Sequence, residues 1–232
     1  PTQKAFNAAS EQLASLSTQF SNHVLDATQG WTLLVQDADQ LQGIPERALQ
    51  ALASAAKDAG DHHPDGADPT ALEGPWRLGL DMPRYLPVLT HADNRNLRET
   101  IYRAQVSRAS SGELDNTPLI EEILDLRKHQ AARLGYQNWA ERSLASKMAD
   151  SVEAVERLLE ELRVAALPVA EREIDELRDC ARRHGATEAD DLSPWDVSYW
   201  AEKLRQERFN LNQEALRPWF PLPQVLDGLF QL

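Results

Sequence analysis

Three things are scarce in this sequence: cysteine, positive charge and long apolar runs. Cys180 is the only cysteine, so no internal disulfide can form and a reducing, cytoplasmic setting is expected. Lys and Arg number 24 against 37 Asp and Glu, giving a net charge of −13. Such a surface repels phosphate backbones, so nucleic acid is not an expected partner. No apolar run approaches the length of a bilayer span and none forms a signal segment, so no membrane partner is expected either. The short phosphate-binding glycine motifs are missing as well. The histidines are His23, His62, His63, His91, His129 and His184. No two of them are four apart, which excludes an H-E-x-x-H zinc helix within these residues.

What is present is a soluble globular composition, 42% hydrophobic and 26% charged, over 232 residues. That length suffices for one large domain or two small ones. The dominant period is helical. Phe6, Leu13, Leu16, Phe20, Val24 and Ala27 fall on one face of a helix over 2–29, closed by Gly30. Further helices are expected over 45–57, entered at Pro45, and over 93–110 and 117–134, the last opening on Thr117-Pro118 and closing at Gly135. A long one should run from Asp150-Ser151 to His184-Gly185, with Pro168 kinking it. Another should run from Ser193-Pro194-Trp195-Asp196 to about Phe209, and a last one from Pro223. In "DMPRYLPVL", Pro83 and Pro87 should limit any helix to about one turn. Trp31–Val35 and Trp76–Leu80 are short strand candidates that could pair. The expected class is mainly α: a multi-helix lobe with at most one two-stranded hairpin, 31–35 with 76–80. No internal domain boundary is evident over 1–232, and the 61–70 loop, "DHHPDGADPT", reads as an exposed excursion.

Candidate chemistry is sparse. His62 and His63, beside Asp61 and Asp65, have the donor types of a zinc site. A mobile loop rarely fixes four ligands, so an exposed polar loop is the preferred reading. Glu122, Asp125 and His129 share a helix face, as in metal-binding bundles. Ile120, Ile123, Leu124, Ala131 and Leu134 mark the opposite face for burial, so the stripe reads as a solvated, ion-paired surface. Ser110-Ser111-Gly112 lacks the pattern of a nucleophile elbow. Cys180 falls on or near an apolar stripe and reads as a buried structural thiol. Trp195, Tyr199 and Trp200 read as core aromatics in preference to a ligand-facing patch. The residues alone imply a soluble helical domain without a catalytic set of its own.

Five blocks in order carry a family resemblance: "FSNHVLDATQGWTLLV" (20–35), "LDMPRYLPVLTHADNRNLRETIYRAQVSRAS" (80–110), "DNTPLIEEILDLRKHQAARLGYQNWAERSLASKMADS" (115–151), "PWDVSYWAEKLRQERF" (194–209) and "LRPWFPLPQVLDGLF" (216–230). They resemble the thimet-oligopeptidase-like zinc metallopeptidases, and within them the bacterial oligopeptidase A branch. Departures are small: His23 stands where relatives tend to have Asn, and Trp200 where they tend to have Tyr.

The resemblance implies a mostly helical two-lobed peptidase whose narrow channel admits short peptides and excludes folded proteins. It implies one zinc held by H-E-x-x-H and a further Glu, with the motif's Glu as general base. All of these lie C-terminal to the last matching block. No catalytic, cofactor-binding or metal residue is therefore carried onto this sequence, and zinc is expected only in the full-length protein. Residues 1–232 resemble part of the lobe that faces the zinc-bearing lobe across the channel. The expected partners are short peptides and the catalytic lobe of the same polypeptide. Both ends read as internal: Pro1 is not a Met, and the stripe Val225, Leu226, Leu229, Phe230 stops at the end of the chain. A shortened, non-enzymatic peptide- or protein-binding module is the alternative, and a divergent metal enzyme built on His62 and His63 is a weaker one.

Overall fold

The computed structural model describes residues 2–210, 216 and 219–231. Of the residues discussed above, Pro1, Arg217, Pro218 and Leu232 lie outside that set. The fold is mainly α, with one two-stranded antiparallel sheet among the described residues. The chain groups into two compact units: Pro1–Trp31 with Arg103–Glu173, and Thr32–Tyr102 with Ile174–Leu232.

In the first unit, helical periodicity puts Phe6, Ala9, Leu13, Leu16, Phe20, Val24 and Ala27 on the covered face of α1, Thr2–Gly30. That helix packs on α5, Thr117–Arg133. Two polar side chains bridge the contact. Gln130 Nε2 donates to Ser10 Oγ at 2.9 Å, and Asn116 Nδ2 donates to the Phe20 carbonyl at 3.1 Å. Gly135, at φ +83°, ends α5 as expected. Its N–H donates to the Ala132 carbonyl and the Tyr136 N–H to that of Ala131, the paired closure that a left-handed residue allows. The short α6, Trp139–Leu144, follows; its N-cap Asn138 accepts the Glu141 N–H at 2.9 Å. Sequence periodicity cannot find a helix of that length.

The second unit has the denser core. Strand β1, Thr32–Val35, pairs with β2, Trp76–Gly79, in the expected antiparallel sense, Val35 opposite Trp76. Helix α2, Glu46–Asp58, lies against β2 and buries Leu52, Ala53 and Ala56; the two alanines let helix and strand approach. Helix α3, Met82–His91, corrects the one-turn limit set by its prolines. Pro83 sits in the first turn, where no N–H partner is needed, and Asp81 caps the entry by accepting the Arg84 N–H. The carbonyl that Pro87 leaves without an N–H belongs to that same first turn, so the helix runs on for ten residues. Gly43 closes the loop beneath it. Its φ is +87°, and a β-carbon there would come within 2.3 Å of the His91 carbonyl oxygen.

Helix α4, Arg95–Val106, crosses from the second unit's sequence into the first's, and α7, Val152–Arg183, crosses from the first's into the second's. The α-helix of α7 is continuous through Pro168. Its tail packs with α8, Pro194–Phe209, around Leu177, Cys180, Ala181, Ala189, Tyr199 and Trp200. The α8 entry is built as its sequence implies, with the Ser193 N–H donating to Asp196 Oδ2 at 3.0 Å. Helix α9, Leu222–Phe230, starts at Leu222 with Pro223 in its first turn; Val225, Leu226, Leu229 and Phe230 are all exposed.

Candidate functional site

A groove of about 530 Å³ lies between α2, α3 and the end of α8. Pro45, Ala48 and Ala51 form one wall, and Met82, Leu86 and Pro87 the other. Arg47, Thr90 and His91 interrupt these apolar walls, and Glu202 and Arg205 add charge from α8. Glu202 accepts from Arg205 and, at 2.7 Å, from Gln206 Nε2, so its carboxylate is compensated within α8. The lining contains one imidazole, His91, and no serine or cysteine. A groove of this kind can receive an extended or helical segment.

A buried polar network lies between α4 and α8. Arg98, 1% exposed, donates from Nη2 to Asp196 Oδ1 at 2.9 Å, from Nε to the Trp195 carbonyl at 3.2 Å and from Nη1 to the Ala92 carbonyl at 2.8 Å. Arg95 Nη2 takes Asp196 Oδ2 at 2.8 Å. Burial pushes the Asp196 carboxyl up. The hydrogen bonds from Arg95 and Arg98 and from the Ser193 N–H outweigh it and hold the group below the ordinary carboxylate range. Tyr199 Oη donates to Asp93 Oδ1 at 2.7 Å while the Arg98 guanidinium lies 4.0 Å from the centre of its ring. Burial, then that bond, push the Tyr199 phenol well above its ordinary value. The network therefore ties α8 to α4 and to the turn before it.

The residues singled out by sequence fall as follows. Asp61 is taken by Arg77 at 2.7 Å, and His62 faces Asp68 at 3.5 Å on an exposed loop. Lys57 also holds Asp68. The four donors of that loop are not gathered into a ligand set. His129 Nδ1 pairs with Asp125 at 3.2 Å on an exposed face, and Glu122 accepts from Gln12. The face assigned to burial on α5 needs correction. Ile123 and Ala131 are buried, but Ile120, Leu124 and Leu134 are exposed, because α1 covers only a narrow strip of the helix. Ser110 Oγ donates to the Ser107 carbonyl, and Ser111 directly precedes a 3₁₀ turn, Gly112–Leu114, without a side-chain hydrogen bond to it. Cys180 is wholly buried, and Trp195, Tyr199 and Trp200 are core, as read.

Residues 88–232 match the model of peptidase family M3. The chain belongs to that family. This M3 chain is 48% identical over 227 residues to the probable cytosolic oligopeptidase A of Arabidopsis thaliana, covering 98% of this chain and 32% of that protein. It is 42% identical over 235 residues to oligopeptidase A of Escherichia coli K12, covering 99% and 32%. It is 29% identical over 222 residues to the dipeptidyl carboxypeptidase of the same organism, covering 94% and 30%. The M3 chain thus spans about a third of the length of the curated relatives it matches. Among its described residues no helix is long and apolar enough to cross a membrane.

Sequence reasoning missed the centre of the M3 chain's polar network. Asp196 is legible as a first-turn acid of α8, but its partners lie about a hundred residues earlier. The available signal was Arg98 itself, placed between Leu97 and Ile101 on the apolar face of α4, where a charge needs a buried partner.

Proposed function

We propose that this chain is the channel-wall part of a zinc-dependent oligopeptidase. In the whole enzyme it would guide short, extended peptides towards a catalytic lobe and exclude folded proteins. The observation that carries this reading is the M3 match, joined to relatives named as oligopeptidases that are about three times as long. Exposed apolar residues on α7 and α9, including Leu158, Leu159, Leu162, Leu229 and Phe230, support packing against further polypeptide. The donor set does not fit the family's zinc, since no two of the six histidines are four apart. No catalytic step is therefore assigned to these residues, and on this reading the zinc would be held by polypeptide outside them.

Two proteins test this: the isolated chain and the full-length gene product, assayed on a fluorogenic short peptide with and without chelator. The full-length protein should cleave the peptide and lose activity on chelation. The isolated chain should cleave nothing above the buffer rate, and chelator-sensitive cleavage by it would sink the proposal. The apolar groove between α2 and α3 supports a second reading, a non-enzymatic peptide- or protein-binding module. Reading the gene past Leu232 separates them: an H-E-x-x-H downstream favours the enzyme, and an immediate stop codon the module.

A further inference from the structure

Two helices of the second unit end at one place, and each brings metal-binding donors to its last turn. Cys180 lies in the last turn of α7 and His184 directly follows the helix, its N–H donating to the Cys180 carbonyl, so their side chains are one turn apart on a single face. Glu207 lies in the last turn of α8. One donor atom from each of the three lies within 4.8 Å of the other two, and this is the one such group among the described residues. We propose that Cys180, His184 and Glu207 form a binding site for a single divalent cation of the zinc and cobalt class.

The donor chemistry supports the assignment. Thiolate, imidazole and carboxylate are the three zinc ligand types, and three protein ligands leave a fourth position for water. Tetrahedral geometry, with Zn–S about 2.3 Å and Zn–N or Zn–O about 2.0–2.1 Å, sets ligand separations of about 3.3–3.6 Å. Bringing Cys180 Sγ to that distance needs a shift of at most roughly 1 Å, while His184 Nε2 and Glu207 Oε1, hydrogen-bonded at 2.7 Å, would part by roughly 0.6 Å to admit the ion. Both shifts are within the range of rotamer adjustment at two exposed side chains.

The surroundings are built to hold the donors. Cys180 is fixed in the core with Leu177, Ala181 and Trp200. The His184 ring packs on Trp200, centroids 5.7 Å apart. Its backbone is set by the α7 terminus, where the Gly185 and Ala186 N–H groups close on the carbonyls of Arg182 and Ala181. Arg183 contacts Glu207 through Oε2 at 2.6 Å, whereas His184 uses Oε1. Coordination through Oε1 therefore leaves the Arg183 contact intact as an outer partner that orients the carboxylate. The C-terminal ends of α7 and α8 each add negative potential, which favours a cation over an anion. A bound ion would fasten the end of α7 to the end of α8.

This inference rests on side chains of the chain itself and stands or falls independently of the peptidase reading. The test is titration of chelator-treated 232-residue chain with Co²⁺, followed by the near-ultraviolet thiolate-to-cobalt band and the visible bands of tetrahedral cobalt, then displacement by Zn²⁺. One equivalent should bind, with the thiolate band present. Cys180→Ser should abolish that band. His184→Ala and Glu207→Gln, both at exposed positions, should weaken binding at least ten-fold while circular dichroism stays that of the parent. Three results overturn the proposal: no thiolate band at saturating Co²⁺ in the folded chain, a band that survives Cys180→Ser, or binding indifferent to His184→Ala and Glu207→Gln, which would mean an adventitious ion only. None of these alters the outcome of the peptide-cleavage comparison.

Discussion

Among its described apolar residues the first unit buries Ala9, Leu16, Ile123 and Ala131, while the second buries Trp76, Leu52, Leu78, Leu80, Val88, Ile101, Tyr199 and Trp200 among others. The polar groups differ in the same direction. In the first unit they are neutral amides at a helix contact, Gln130 with Ser10 and Asn116 with the Phe20 carbonyl. In the second they are ions, Arg98 and Asp196, both removed from water. An ion pair survives burial only if nearly every donor and acceptor is matched. Arg98 meets that condition with one carboxylate and the Trp195 and Ala92 carbonyls, and this is affordable only where surrounding helices are already fixed. The thin unit is held by hydrogen bonds that can be lost singly; the dense unit is held by packing around a charge that cannot.

The largest effect expected from that contrast is at Arg98. Arg98→Ala leaves Asp196 buried with Arg95 as its remaining guanidinium partner, and such a change costs about 3–5 kcal/mol. Urea unfolding followed by circular dichroism measures it. A loss below about 1 kcal/mol would mean that the pair behaves as an exposed one and that packing alone distinguishes the second unit.

Much of this architecture is legible in the sequence, and the failures have physical causes. The ribbon, α2 and α8 follow from Trp76–Leu80, from Pro45 and from Ser193-Pro194-Trp195-Asp196, because strand pattern, helix entry and capping are local. The extent of α3 was not legible: Pro87 reads as a breaker unless Pro83 is seen to place the lost hydrogen bond in the first turn. The exposed side of α5 was not legible either, since the width of the covered strip depends on its neighbour. For the candidate metal group, a search for two histidines four apart passes over Cys180 and His184, which have that spacing with a thiol in one place. Glu207 joins them only through the packing of α8 on α7.

Acid should expose the contrast next. The folded chain holds Asp196 below its ordinary value of 3.8. Between the folded and unfolded values the unfolded chain therefore binds more protons. The stabilisation is fully present above the unfolded value and is lost as pH falls through the folded one. Stability measured by urea should be flat from pH 7 to about 5 and should drop below about pH 4. Asp196→Asn should flatten that acid limb while lowering stability at pH 7, because Asn accepts from one guanidinium less well than a carboxylate accepts from two. An unchanged acid limb in the variant would assign the pH dependence to exposed carboxylates, which both units carry.

The smallest effect belongs to the first unit and tests the other half of the contrast. Gln130 is 2% exposed and its amide donates to Ser10 Oγ at 2.9 Å. Gln130→Ala removes that bond but strands no charge, and Ser10 Oγ still donates to the Phe6 carbonyl at 3.0 Å. The expected loss is about 1 kcal/mol, the net worth of a neutral hydrogen bond, set against the several expected at Arg98. Gln130→Leu keeps the side-chain volume and should recover part of it, since an apolar group suits the strip that Ala9 and Ala131 already form. If Gln130→Ala instead costs as much as Arg98→Ala, the first unit depends on a single specific contact. Its sparse core would then be no sign of tolerance to change.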